Sequence, residues 1–194
     1  MPENKVVFGL KNCHYAVITE GEDGEHSYGI PIPLKGGVEI SLEPRGETSD
    51  FYADDMLYYT ITTNAGYEAS LTVANITPEF RTDVLGEELH DVDGVLTEST
   101  IQRSKRIAFL FEFDGDIKSV RHCLYNCSVT RPSVSSATKT ETAEPSPQEL
   151  TMISAPRPND GIVKRSTTGN TPDNVYAAWY TAVYSPTTPA EPVV

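Results

Sequence analysis

The stretch from Gly36 to Val73 constrains the fold most, because it holds two runs of strict alternation around a long interruption. Val38, Ile40 and Leu42 alternate with Glu39, Ser41 and Glu43; further on, Tyr67, Ala69, Leu71 and Val73 alternate with Glu68, Ser70 and Thr72. Thr60, Ile61 and Thr62 continue the pattern ahead of a turn at Asn64 to Gly66. Period two is the side-chain repeat of a strand, so each run predicts a strand with one buried and one wet face. The wet face carries Glu39, Ser41, Glu43, Thr60, Thr62, Glu68, Ser70 and Thr72, and no Lys or Arg. Between the first runs lies Pro44 to Leu57, which lacks a tight-hairpin sequence and carries Arg45, Glu47, Asp50, Phe51, Tyr52, Asp54 and Asp55. A connection that long inside a compact sheet is either functional or disordered. Phe51, Tyr52 and Tyr58 argue against disorder, since disordered segments are poor in aromatics. The connection reads as an ordered arm that reaches another molecule.

Charge is distributed as unevenly as the pattern. The net charge of −13 lies wholly in residues 1–97, which hold 5 Lys and Arg against 18 Asp and Glu, while residues 98–194 hold ten of each. Gripping nucleic-acid phosphates needs clustered Lys and Arg, so this balance excludes such a protein but not one that lets DNA pass without adhering. The N-terminal residues have no apolar core of signal-peptide length, and no run approaches the ~18–20 apolar residues that cross a bilayer. Three cysteines, an odd number, predict a reducing compartment, hence synthesis in the cytoplasm, and the lack of a spanning run predicts no membrane partner. Cys123 and Cys127 on one strand would lie ~13 Å apart, beyond the ~7 Å between Cα atoms that a disulfide tolerates.

The rest of the chain reads as short strands with one helix. Asn12 to Thr19 and Ser27 to Ile32 are the first two strands. Thr77, Pro78 and Glu79 supply a cap, a first-turn proline and an early acid for a helix that Gly86 closes, with Phe80 and Val84 on one face. Lys105 to Phe113 places Ile107, Phe109, Phe111 and Phe113 opposite Ala108, Leu110 and Glu112; Asp114–Gly115 is a hairpin signal leading into Ile117 to Val129, where Cys123, Tyr125, Cys127 and Val129 form the apolar face. Ser135 to Thr142 alternates weakly, as an edge strand or an arm. Leu150 to Ala155 and Val175 to Val183 read as closing strands. The prediction is an all-β sandwich or barrel with one short helix over residues 1–185, followed by a Pro/Thr-rich tail at 186–194.

No catalytic motif is complete. Gly24 to Gly29 is one residue too long for a nucleophile elbow, and no phosphate loop, dinucleotide fingerprint or metalloprotease motif exists. Cys13–His14 and His122–Cys123 are adjacent pairs, whose side chains point to opposite faces of a strand and do not converge on a metal. The cysteines read as buried, reduced core thiols. Asp91 to Gly94 and Asp114 to Asp116 lack the bidentate Glu of a calcium loop and read as turns. The expectation is no enzyme and no cofactor. Arg103, Lys105 and Arg106 form a basic cluster that reads as a solvated strand end or, in a self-assembling protein, as the partner for the acidic first half of a neighbouring copy.

In Phe8 to Asn12 with His14–Tyr15, Gly36 to Val38, Phe51 to Asp54, Leu85–Gly86, Gly94 to Glu98, Leu124 to Cys127 and Arg131–Pro132, the chain resembles the major tail tube proteins of long, non-contractile-tailed bacteriophages of Gram-positive hosts. The resemblance implies a β-sandwich with a flanking helix that forms six-membered rings stacked into a virion tail tube. It implies as partners other copies of itself, a tape-measure protein in the lumen, and terminator and distal tail proteins at the ends, with DNA passing through unbound. Many relatives carry a C-terminal immunoglobulin-like domain, which this sequence does not include. In such a tube Glu39, Glu43 and Glu68 face either the bore or the exterior, and an acidic bore would repel DNA phosphates. Arg45, Glu47, Asp50, Phe51, Tyr52, Asp54 and Asp55 would form the contact between rings. The competing readings are a non-polymerising tail completion or baseplate protein, a secreted ligand-binding β-sandwich, and a hydrolase without a recognisable motif.

Overall fold

The structure, a computed structural model, describes residues 3–21, 26–136, 138 and 146–186. In chain order the elements are β1 (Val7–Glu20), β2 (His26–Tyr28), β3 (Ile32–Pro33), β4 (Gly37–Arg45), β5 (Thr48–Ala53), β6 (Met56–Thr62), β7 (Gly66–Val73), α1 (Pro78–Phe80), β8 (Glu88–Leu89), β9 (Leu96–Thr97), β10 (Ile107–Gly115), β11 (Val120–Val129), β12 (Gln148–Ser154), β13 (Lys164–Ser166) and α2 (Asp173–Ala178). One antiparallel sheet runs β2-β1-β10-β11-β12-β7-β4, with β3 added to β1 and β13 to β11. It curls until its last strand lies against its second: a Cβ built on Gly37 at the start of β4 would sit 3.0 Å from Cys13 Sγ and 3.3 Å from Leu10 Cδ2 in β1. The expected all-β architecture is therefore present as one curled sheet, whose two ends enclose the core.

Alternation decides what fills that core. On β10, Ile107, Phe109 and Phe111 point inward and Ala108 and Leu110 outward, all fully buried, as the sequence pattern requires. Ala69, Leu71 and Val73 of β7 face Leu150 and Met152 of β12 in the same interior. The open end is plugged by α1 and the wide turn Arg81–Leu85 that continues it. Thr77 Oγ1 accepts from the Phe80 amide, Pro78 opens the helix, and Gly86 ends it at φ 79°, where a left-handed residue costs glycine nothing. Phe80 and Val84 are fully buried beneath Tyr15, whose hydroxyl donates to Asp83 Oδ2 at 3.0 Å.

Four expectations are corrected. On β11, pairing shifts between Ile107–Cys127 and Phe109–Leu124, so β11 spends one extra residue there. That bulge flips the faces: Cys123 and Tyr125 point outward, Cys127 and Val129 inward, and the four do not share one face. Asp114 and Gly115 remain paired with Phe8 and Val7 of β1, and the β10–β11 turn is 116–119. Val175 to Val183 is not a strand but α2 and its exit. Pro172 and Asp173 start the helix, and Trp179 just past its end packs on Ala16, Ala108, Leu110, Cys123 and Tyr125. Val38 is the extra residue of a bulge between Gly37–Val73 and Glu39–Thr72, and it is 59% exposed instead of joining Ile40 and Leu42 inside. Most of the predicted Ser135–Thr142 strand and all but the first residue of the 186–194 tail lie outside the described residues.

Candidate functional site: an arm and an acidic wall

The β4 and β7 strands do not stop where the sheet does. Beyond Arg45–Gly66, the Ala65 amide donates to Arg45 O, the Thr63 amide donates to Glu47 O and the Glu47 amide donates to Thr63 Oγ1, so the pairing runs on into β5 and β6. These two strands pair only with each other. The expected arm is thus a hairpin of residues 48–62, and its reversal is a two-residue turn. Asp54 and Asp55 stand at φ 52° and 59°, the conformation of a type I′ turn, whose twist matches that of the flanking strands. Asp tolerates this region because its short side chain bonds locally. The turn is a tight hairpin although the sequence predicts none, because Asp-Asp is a weaker form of the Asn-Gly or Asp-Gly signal.

The register sorts the arm's side chains. Phe51 opposes Tyr59 and Ser49 opposes Ile61 on one face; Asp50 opposes Thr60 and Thr48 opposes Thr62 on the other. Thr60 Oγ1 donates to Asp50 Oδ1 at 2.8 Å, and Tyr58, in a bulge, meets Phe51 edge-on. Thr60 and Thr62 thus belong to the arm and not to the wall sheet with which the sequence pattern grouped them. Phe51, Tyr52, Met56, Leu57, Tyr58, Tyr59 and Ile61 are between 50% and 73% exposed. Seven large apolar side chains exposed on one short hairpin concentrate apolar surface there, and such surface marks an interaction site.

The wall is the outer face of β4, β7 and β12. Glu39 opposes Thr72, Ser41 opposes Ser70 and Glu43 opposes Glu68; Glu149, Thr151 and Ile153 extend the rows on β12. Ser70 donates to Glu149. Glu39, Glu43, Glu68 and Glu149 are exposed, and none has a cationic partner among the described residues. Like charges directly opposite across strands destabilise a sheet, so Glu43 against Glu68 is an arrangement that folding alone does not favour. Glu149 and Thr151 join the wall beside the residues that the sequence pattern predicts there. Their alternation with Leu150 and Met152 was visible, but the register that sets them beside β7 was not.

The opposite half of the outer surface is covered. The segment through α2 to Tyr184 lies over β1, β10 and β11, and Tyr125 donates to Tyr184 O at 2.7 Å. Beneath it Arg121 Nε bonds Glu112 Oε2 at 2.7 Å, and the guanidinium lies 3.7 Å from the Tyr176 ring centroid. Tyr180 OH donates to the same carboxylate oxygen and its ring stacks on His14.

The basic cluster divides. Arg106 pairs with Glu20 at 2.9 Å, whereas Arg103 and Lys105 are exposed with no ion pair among the described residues. All three cysteines are buried free thiols. Burial pushes Cys13 up to about 11 and Cys127 up to about 12, and raises Cys123 as well. Cys13 points inward and His14 outward, as adjacent strand positions must. Among the described residues no group of three or more His, Cys, Asp or Glu side chains gathers as a metal site, and no helix is long and apolar enough to cross a membrane.

No family model matches the chain, and no curated protein does. Among solved structures, the tube-terminating cap of an anti-feeding prophage, determined by cryo-EM, overlays with a TM-score of 0.48. The overlay covers 87% of this chain and 97% of that one at 10% identity. A likeness that distant carries no weight for function, which has to be argued from the arm and the wall.

Proposed function

We propose that the protein is a structural virion subunit that polymerises as stacked six-membered rings into a phage tail tube. The observation that carries this reading is the arm: a hairpin continuous with the wall strands, stiffened by an I′ turn, presenting seven exposed apolar side chains. A ladder that leaves its own sheet and ends in apolar surface suits insertion into a neighbour, where aromatic residues act as anchors. The wall supports the same reading. A face of carboxylates and hydroxyls without counter-charge suits the lining of a conduit, because it repels a passing polyanion instead of binding it. Residues Arg45, Glu47, Asp50, Phe51, Tyr52, Asp54 and Asp55 then make the contact between rings, and Glu39, Ser41, Glu43, Glu68, Ser70 and Thr72 line the bore. A tape-measure protein would occupy the bore before DNA, and terminator and distal proteins would close the ends.

Negative-stain microscopy of the purified protein beside a Phe51→Ser, Tyr52→Ser variant tests the proposal. Wild type forms rings and tubes, and the folded double variant forms rings at most. Tubes of normal length from the variant would refute the role of the arm. Monomers from the wild type would favour a ligand-binding module, and rings that never stack a completion protein.

A further inference from the structure

If the arm docks on the next ring, its acidic tip requires a matching surface there. We propose that it seats in the cleft beside Arg103 and Lys105 of the neighbouring copy, an inference that rests on the stacked-ring reading above. The arm ends in two carboxylates, Asp54 and Asp55, held in a fixed turn and flanked by exposed Tyr52, Met56 and Leu57. Over the arm and its root, residues 45–62, Glu47, Asp50, Asp54 and Asp55 stand against Arg45 alone. The occupied surface must therefore offer positive charge beside apolar area, on a frame that does not yield.

The cleft below α1 offers all three. It is an open cleft of about 510 Å³ between Leu85, Glu98, Gln102, Arg103, Val129 and Arg131; Glu98 is neutralised by its pair with Arg131, and Lys105 follows the Ser104 wall. Its rim is fastened: Lys105 N donates to Val84 O at 2.8 Å, and the backbone of Arg103 lies so close to Gly86 that a Cβ there would meet Arg103 O at 2.7 Å. Nearby cations are already engaged, Arg106 with Glu20 and Arg131 with Glu98 at 2.8 Å, which leaves Arg103 and Lys105 to meet a partner. Beside them Ile101 is 87% exposed. Two exposed cations on a fastened backbone, next to apolar surface, complement two carboxylates in a fixed turn next to apolar surface, and charge complementarity of this kind fixes the register of an interface.

Reciprocal charge exchange tests the pairing. Asp54→Asn, Asp55→Asn keeps a turn that Asn favours and should raise the concentration needed for tube assembly at least tenfold. Asp54→Lys, Asp55→Lys and, separately, Arg103→Glu, Lys105→Glu should abolish tubes in chains that remain folded by circular dichroism. Combining the four changes in one chain, or mixing the two charge-reversed proteins, should restore tubes. Wild-type tubes with an unrestored combination, or an Asn variant that assembles at the wild-type concentration, overturn the docking site and leave the stacked-ring reading standing. Failure of the wild type to assemble overturns both.

Discussion

Replacing Arg121 by Met isolates the contribution of the latch under the C-terminal segment. The side chains of Arg121 and Glu112 are 16% and 7% exposed and bonded at 2.7 Å, and the guanidinium is stacked on Tyr176. Removing one partner of such a pair leaves a buried carboxylate whose remaining hydrogen bond among the described residues is from Tyr180 OH at 3.3 Å. Breaking a buried pair in this way costs about 3–5 kcal/mol, a large part of the roughly 5–15 kcal/mol that holds a domain together. At roughly 2–4 °C per kcal/mol for a chain of this size, the melting temperature should fall by about 6–20 °C. Urea unfolding followed by circular dichroism gives the free energy. The single Trp of the chain, Trp179, buried to 3% exposure in the same segment, reports release of that segment by a red-shifted emission. Glu112→Leu combined with Arg121→Met should recover most of the loss, because an apolar pair leaves no charge behind. A single variant within about 1 kcal/mol of wild type, the scale of an exposed pair, would show that the pair is effectively solvated and refute the reasoning.

Four further outcomes follow from the structure. Glu68→Lys turns the like-charge Glu43–Glu68 pair into an opposite one and should stabilise the isolated subunit by up to about 1 kcal/mol by urea unfolding; a loss of stability would mean the two carboxylates do not meet. Lys at Glu39, Glu43 and Glu68 together should permit tube assembly yet slow DNA ejection, with the defect easing as salt rises, and a normal ejection rate would place these residues off the bore. His122 stacks on Phe111, and its burial lowers its pKa to about 4. The unfolded chain therefore binds the extra proton first, and this contribution to stability, present above about pH 6.5, is lost as pH falls toward 4. His122→Phe should flatten that part of the pH–stability curve, and an unchanged slope would count against a buried neutral ring. Cys13, Cys123 and Cys127 should resist a thiol reagent in the native protein and react on unfolding, and rapid native labelling would contradict their burial.

What the sequence made legible was alternation and capping. The two faces of β7 and of β10 follow from period two alone, and the Thr77–Pro78–Glu79 start and Gly86 end of the helical plug follow from the needs of unpaired amides and carbonyls. Features set by pairing between distant strands were hidden. The β11 bulge that separates Cys123 from Cys127 is a backbone choice that no side-chain pattern announces. The register joining Glu149 to the wall belongs to β12 and β7 jointly. Short apolar runs do not distinguish strand from helix, which is why Val175 to Val183 read as a strand until Trp179 was seen anchoring the outer face. The arm was located as a connection, but its I′ turn depends on two aspartates tolerating positive φ, a weaker sequence signal than glycine.

That wall and arm together build a tube is open to view in a cryo-EM reconstruction of the assembled wild-type protein. Six-fold rings are expected, in which Glu39, Glu43 and Glu68 face the bore and residues 48–62 enter the adjacent ring. A tube with those carboxylates on its exterior, or with the arm lying free in solvent, would contradict it.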